Sequence, residues 1–100
     1  MLNIQKTQGN DSILYQLEGR LDTVTAPELE ASLQEALVET TNLVLDFEKL
    51  DYISSAGLRV LLSAQKIINN QGTMKVIHVN DTIMEIFEVT GFSDILTIGE

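Results

Sequence analysis

The chain of 100 residues has no cysteine and no tryptophan, and only one proline and one histidine. Without cysteine, disulfides, thiolate catalysis, iron–sulfur clusters and cysteine zinc sites are excluded. His78 alone cannot build a multi-histidine metal centre. Basic residues are also scarce: six Lys and Arg face fifteen Asp and Glu, for a net charge of −9. Residues 1–50 carry three bases and nine acids, and residues 51–100 carry three and six, so neither half hides a basic patch. Phosphate backbones and anionic membranes need clustered Lys and Arg, so partners of both kinds are disfavoured. No apolar run approaches the ~18 residues of a spanning helix. The first ten residues, MLNIQKTQGN, lack the charged and apolar regions of a signal peptide. The expectation is a soluble cytoplasmic protein.

What is present is globular. Hydrophobic residues make up 44% and charged residues 21%, and 11.1 kDa is the size of one domain, taken as residues 1–100. Area scaling predicts a folded surface of about 5,700 Å² against about 16,000 Å² unfolded, enough for one core and no second domain.

Two alternating segments, Leu2–Thr7 and Ile13–Leu17, flank the turn residues Gly9-Asn10-Asp11 and read as a hairpin. Thr25, Pro27 and Glu28 have the spacing of a capping box. Leu29, Leu33, Ala36 and Leu37 then recur at helical spacing, and Thr40-Thr41-Asn42 closes that helix. Leu43–Phe47 is a short, nearly continuous apolar run, as expected of a strand covered on both faces. Ser54 or Ser55 can cap a second helix that runs to about Asn70, with Gln71-Gly72 as its stop. Met74–Val79 reads as the fourth strand, bounded by Asn80-Asp81, and a third helix follows with Gly91 as its stop. Ile95–Ile98 is a last short strand or a packed tail. The order ββαβαβαβ predicts an α/β fold. Its sheet is mixed but mostly parallel, with four to five strands, and the first strand runs antiparallel to the rest.

In such a sheet, ligands and partners meet the edge where strands end and helices begin. Asp22, Asp46 and the Ser54-Ser55 pair fall there. Each also has a structural role open to it: Asp22 can bond the Thr23–Thr25 turn, Asp46 the amides of the Glu48–Asp51 loop, and either serine can cap. At about 100° per residue, Ala56, Gly57, Val60, Leu61, Ala64, Ile67 and Ile68 of the second helix form the core stripe. Ser55, Leu58, Arg59, Leu62 and Lys66 form the opposite stripe. Leu58 and Leu62 would then be exposed among polar groups, as on a contact surface.

The segments LEGRLDTVTAPELEASL (17–33), LVLDFEKLDYISSAGLRVLL (43–62) and GTMKVIHVNDTIMEIFEVTGFSDILTI (72–98) resemble the STAS domain, and in particular stand-alone bacterial anti-sigma-factor antagonists. The resemblance runs over nearly the whole chain. It implies a protein that binds an anti-sigma factor with serine kinase activity and so frees a sigma factor. It also implies phosphorylation at the start of the second helix, which releases the partner, and a serine phosphatase that resets the switch. Aligned on Ser54-Ser55-Ala56-Gly57-Leu58, the family pattern places the acceptor at Ser55, with Ser54 the second choice. Ser54 stands where characterised antagonists carry Asp. The Leu-Asp position of the family falls on Leu21-Asp22. The implied partner surface is Asp22, Ser54, Ser55, Leu58, Arg59 and Leu62, with no cofactor and no metal; a homodimer is compatible with the sequence.

Three rival readings remain. A serine hydrolase would need a base and an orienting acid, and no G-x-S-x-G elbow exists. There is likewise no G-x-x-x-x-G-K phosphate loop. An aspartyl-phosphate receiver would use Asp46 as acceptor, but the acids and the late Lys of such sites have no counterparts here. A STAS scaffold that is never phosphorylated would use the same helix face in another signalling or lipid-linked assembly.

Overall fold

The structure is a computed structural model that describes residues 2–38 and 40–99; Met1 and Glu100, the ends of the expected domain, lie outside the described residues. Its elements are β1 (Leu2–Gln8), β2 (Ser12–Leu21), α1 (Ala26–Ala36), β3 (Asn42–Ile53), α2 (Ser55–Ile68), β4 (Thr73–Ile77), α3 (Asp81–Thr90), α4 (Phe92–Ile95) and β5 (Thr97–Gly99). The accessible surface is 5740 Å², as the mass alone predicts. Among the described residues no helix is long and apolar enough to cross a membrane.

The hairpin forms as the alternation requires, with Leu2 opposite Gly19 and Gln8 opposite Ile13. The Gly9 N–H donates to the Ser12 carbonyl at 2.8 Å and closes the turn. β2 then pairs with β3, β3 with β4 and β4 with β5, all parallel. The spatial order β1-β2-β3-β4-β5 is the chain order. Each parallel crossover therefore steps one strand in the same direction, and right-handed crossovers put every helix on one face. Side chains agree. The Tyr15 hydroxyl reaches the Ser32 carbonyl of α1 at 3.1 Å. The Phe47 ring lies 6.4 Å from that of Phe87 in α3. Gly57 of α2 sits against Leu21 and Ile53. One core joins these layers, with Tyr15, Phe47, Phe87 and a set of leucines fully buried.

The opposite face of the sheet is open: Asn3, Gln5, Gln16, Glu18 and Lys75 are exposed. The expectation that β3 is covered on both faces is therefore wrong. Its inward residues Leu43, Leu45 and Phe47 are buried under helices, whereas Val44 and Asp46 point to the open side. β3 is also much longer than the apolar run that announced it. Two register shifts against β2, between Gln16 and Glu18 and between Gly19 and Arg20, carry it on to Ile53. Asp46 is consequently in mid-strand and not near its end.

Of the two helix starts expected from cap residues, one misses and one holds, and a third cap was not expected. At α1 the Thr25 hydroxyl makes no cap. It donates to the Arg20 carbonyl at 2.9 Å and accepts the Asp22 N–H at 2.9 Å, because the preceding turn claims it. Ser54 and Asn80 do cap α2 and α3, accepting the Gly57 N–H at 3.4 Å and the Ile83 N–H at 2.8 Å. Gly91 ends α3 in the left-handed region, at φ 83°. The tail expected as one element is α4 followed by β5.

Candidate functional site

The parallel ends of β2 and β3 lie side by side, with Leu21 opposite Ile53. One more ladder bond follows, from the Ser54 N–H to the Leu21 carbonyl at 2.9 Å. That bond fixes the start of α2 beside the Asp22 turn. The helix can come this close because residue 57 is glycine: a Cβ there would stand 2.8 Å from both Ile53 Cγ1 and Leu21 Cγ.

Asp22 is bound up in its own turn. Its Oδ1 accepts the Val24 N–H at 3.0 Å and the Thr25 N–H at 3.1 Å. The Thr25 amide bond, with help from the Thr25 hydroxyl and the Val24 N–H, outweighs desolvation and holds the carboxyl below the usual range. Arg20 Nε lies 4.0 Å from Asp22 Oδ2, and its guanidinium covers the Tyr52 ring at 4.6 Å. Asp22 thus has the turn role read from the sequence, and its side chain remains about a third exposed.

The two serines have different positions. Ser54 is half-buried and its hydroxyl is engaged in the cap, while its carbonyl accepts the Leu58 N–H at 2.9 Å. Ser55 is the first residue of α2 and is exposed. The Ser55 and Ala56 amides beside it have no intrahelical acceptor, as in any first turn. Among the described residues no base or carboxylate hydrogen-bonds either serine hydroxyl.

Leu58 is a correction. It is 6% exposed and belongs to the core. Taking Ala56 as zero, the buried residues Gly57, Leu58, Val60, Leu61, Ala64, Gln65 and Ile68 span an arc of roughly 40–200°. The expected stripe was centred some 50° away. The close seat of Gly57 and the full burial of Leu61 turn the helix, so Leu58 goes in and Ile67, 38% exposed, comes out. Leu62 is half-buried and Arg59 exposed, so these two remain on the outer face.

One surface residue was missed. Val24, at the tip of the Asp22 turn, is 86% exposed. Its only signal in the sequence is an apolar side chain between Thr23 and Thr25 that fits neither strand nor helix periodicity. Elsewhere, Asp46 does not stand free as a receiver acceptor would. It accepts the Glu48 N–H at 3.0 Å and meets His78 Nδ1 at 2.9 Å. His78 lies just beyond β4 and not within it, with φ 56°.

Comparison with known proteins agrees with this fold. A family model described as the STAS domain matches residues 2–100. An anti-sigma-B factor antagonist of Staphylococcus aureus is 31% identical over 101 residues, covering 99% of this chain and 94% of the relative. The crystal structure of an anti-sigma factor antagonist from Mycobacterium paratuberculosis superposes with a TM-score of 0.89 at 18% identity, covering 98% of this chain and 85% of that one. The Bacillus cell fate determinant SpoIIAA in its phosphorylated form superposes with a TM-score of 0.77 at 18% identity, covering 98% and 92%.

Proposed function

The chain belongs to the STAS domain family, and from that premise we propose that it is an anti-sigma-factor antagonist whose partner, an anti-sigma factor with serine kinase activity, docks at the start of α2 and phosphorylates Ser55. The contact surface is Asp22, Val24, Ser55, Arg59 and Leu62, with Ser54 holding the helix end in place. A serine phosphatase resets the protein. The protein acts by binding and not as an enzyme, and its 1–100 domain works in the cytoplasm.

The observation that carries this reading is the division of labour between the serines. Ser54 is committed to the cap and Ser55 is exposed, one bond away from the Asp22 turn. A phosphate adds about −1.5 to −2 charge and three acceptor oxygens. The open first-turn amides and the helix macrodipole tolerate it there, so the fold survives. In an interface that also holds Val24 and Leu62, the same charge is costly to desolvate, so the partner is released. The relative in Staphylococcus aureus is an anti-sigma-B factor antagonist, and SpoIIAA has been solved in a phosphorylated form.

The test is a reaction with the cognate kinase and ATP, read by fragment mass. Phosphate is expected on Ser55 in the wild-type protein and in Ser54→Ala. Ser55→Ala should bind the kinase and stay unmodified. Ser55→Asp should bind weakly with a native melting curve. Phosphate on Ser54 alone would reassign the acceptor. Intact binding without phosphate on either residue would make the protein a constitutive interaction module.

A further inference from the structure

The open face of the sheet holds a cluster that the α2 surface does not use. Asp46 in β3, Glu48 two residues on and His78 after β4 place one ligand atom each within 4.8 Å of one another. His78 Nδ1 is 2.9 Å from Asp46 Oδ1 and 4.0 Å from Glu48 Oε2. We propose that Asp46, Glu48 and His78 form a binding site for a divalent transition-metal ion, with Zn²⁺ the ion whose ligand preferences fit.

Three observations support this. The first is charge. Two carboxylates face a single imidazole, and among the described residues no Lys or Arg nitrogen comes within 4.0 Å of either. The local deficit calls for a cation, and the chain as a whole, at −9, adds to it.

The second is geometry. A tetrahedral ion with bonds of about 2.0–2.1 Å sets its ligand atoms roughly 3.3 Å apart. The present spacings of 2.9 and 4.0 Å bracket that value. Glu48 and His78 are exposed and free to adjust, and solvent can fill a fourth position.

The third is anchoring. Asp46 has a side chain only 9% exposed and is held by the Glu48 N–H at 3.0 Å. A ligand fixed by its own hydrogen bonds loses little freedom on binding metal. Asp46, Gln16 and Glu48 also border a shallow depression of about 70 Å³ beside the cluster.

In the metal-free protein a proton bridges His78 Nδ1 and Asp46 Oδ1, which are 2.9 Å apart. The ion takes the place of that proton, which leaves to solvent. Oxygen-preferring Mg²⁺ gains little from an imidazole ligand and binds far more weakly.

Calorimetric titration of the tag-free full chain with Zn²⁺, and separately with Mg²⁺, in mildly alkaline buffer decides the matter. One-to-one Zn²⁺ binding is expected, weakened at least about tenfold in both Glu48→Gln and His78→Asn. Asn is chosen at residue 78 because it accepts the left-handed backbone. Glu48 is exposed, so Glu48→Gln should melt like the wild type without metal and keeps the test valid if His78→Asn unfolds. Zn²⁺ should also shift the His78 ring resonances and raise the melting temperature of the wild type more than that of either variant. No saturable uptake up to about 1 mM Zn²⁺, equal affinity for Mg²⁺, or binding untouched by Glu48→Gln would each overturn the site.

Discussion

Leu58 and Leu62 differ by one helical turn and by almost everything else. Leu58 is a core residue, and Leu58→Ala should cost about 2–5 kcal/mol of stability, as for other buried leucines. Leu62→Gln, at a half-buried position, should cost far less, on the order of 1 kcal/mol or below, yet weaken binding to the anti-sigma factor. Urea unfolding and binding curves for the two variants check this. A large stability loss in Leu62→Gln would place Leu62 in the core as well. The same scale explains Gly57. An added methyl there meets Ile53 and Leu21 at 2.8 Å, so Gly57→Ala should cost about 1–3 kcal/mol by overpacking. It should also push α2 away from the Leu21 carbonyl. A Gly57→Ala protein as stable as the wild type would show that the seat is not tight. Helical spacing marks position 57 only as one more small residue on the core stripe. The need for glycine appears once the β2 and β3 ends are seen meeting beneath it.

Among the elements, the ones that were easily read are those whose signal is local. The hairpin, α2 and α3 announce themselves by alternation, helical spacing and cap residues, because the forces that form them act between near neighbours. β3 was read as five residues because its second half, Glu48–Tyr52, is rich in charge. Pairing with β2 across two register shifts supplies the order that local pattern does not. The capping box at Thr25 failed for a related reason, since the Asp22 turn competes for the same hydroxyl. Caps that formed should differ in strength. Asn80 bonds the Ile83 N–H at 2.8 Å and also donates to the Leu50 carbonyl at 2.9 Å, whereas the Ser54 cap is long, at 3.4 Å. Asn80→Ala should therefore cost about 1–2 kcal/mol and Ser54→Ala nearer 0.5 kcal/mol. Chemical denaturation of both variants measures the ranking, and the reverse order would contradict it.

For the molecule as a whole, chain order equals strand order, and this one fact puts all helices on one face. The polar residues Asn3, Gln5, Gln16 and Glu18 of the open face are present in the alternation of the hairpin, but that the face is open depends on strand order, which no local pattern encodes. The positions of Asp22 and Ser55 were legible, since they fall where the turn and the helix start place them. Val24 and the rotation of α2 were not, because both depend on packing at a distance. Global charge gives the last prediction. At −9 the folded chain repels itself, so stability should rise as pH falls from neutrality toward the ordinary carboxylate range. Below that range the sign reverses. Asp22 is held under its usual value of 3.8 mainly by the Thr25 amide. In Asp46, burial acts upward, but the Glu48 N–H and His78 outweigh it and the net shift is also down. A carboxyl depressed in the folded state stabilises above its unfolded pKa, and that stabilisation disappears as pH falls through the folded pKa. Urea midpoints measured against pH, with chelator present, should therefore peak on the acid side of neutrality and fall steeply below about pH 4. Asp22→Asn keeps an acceptor for the Val24 and Thr25 amides and needs no deprotonation. Its acid limb should be shallower than that of the wild type, and an identical limb would show that Asp22 titrates as an ordinary exposed carboxylate.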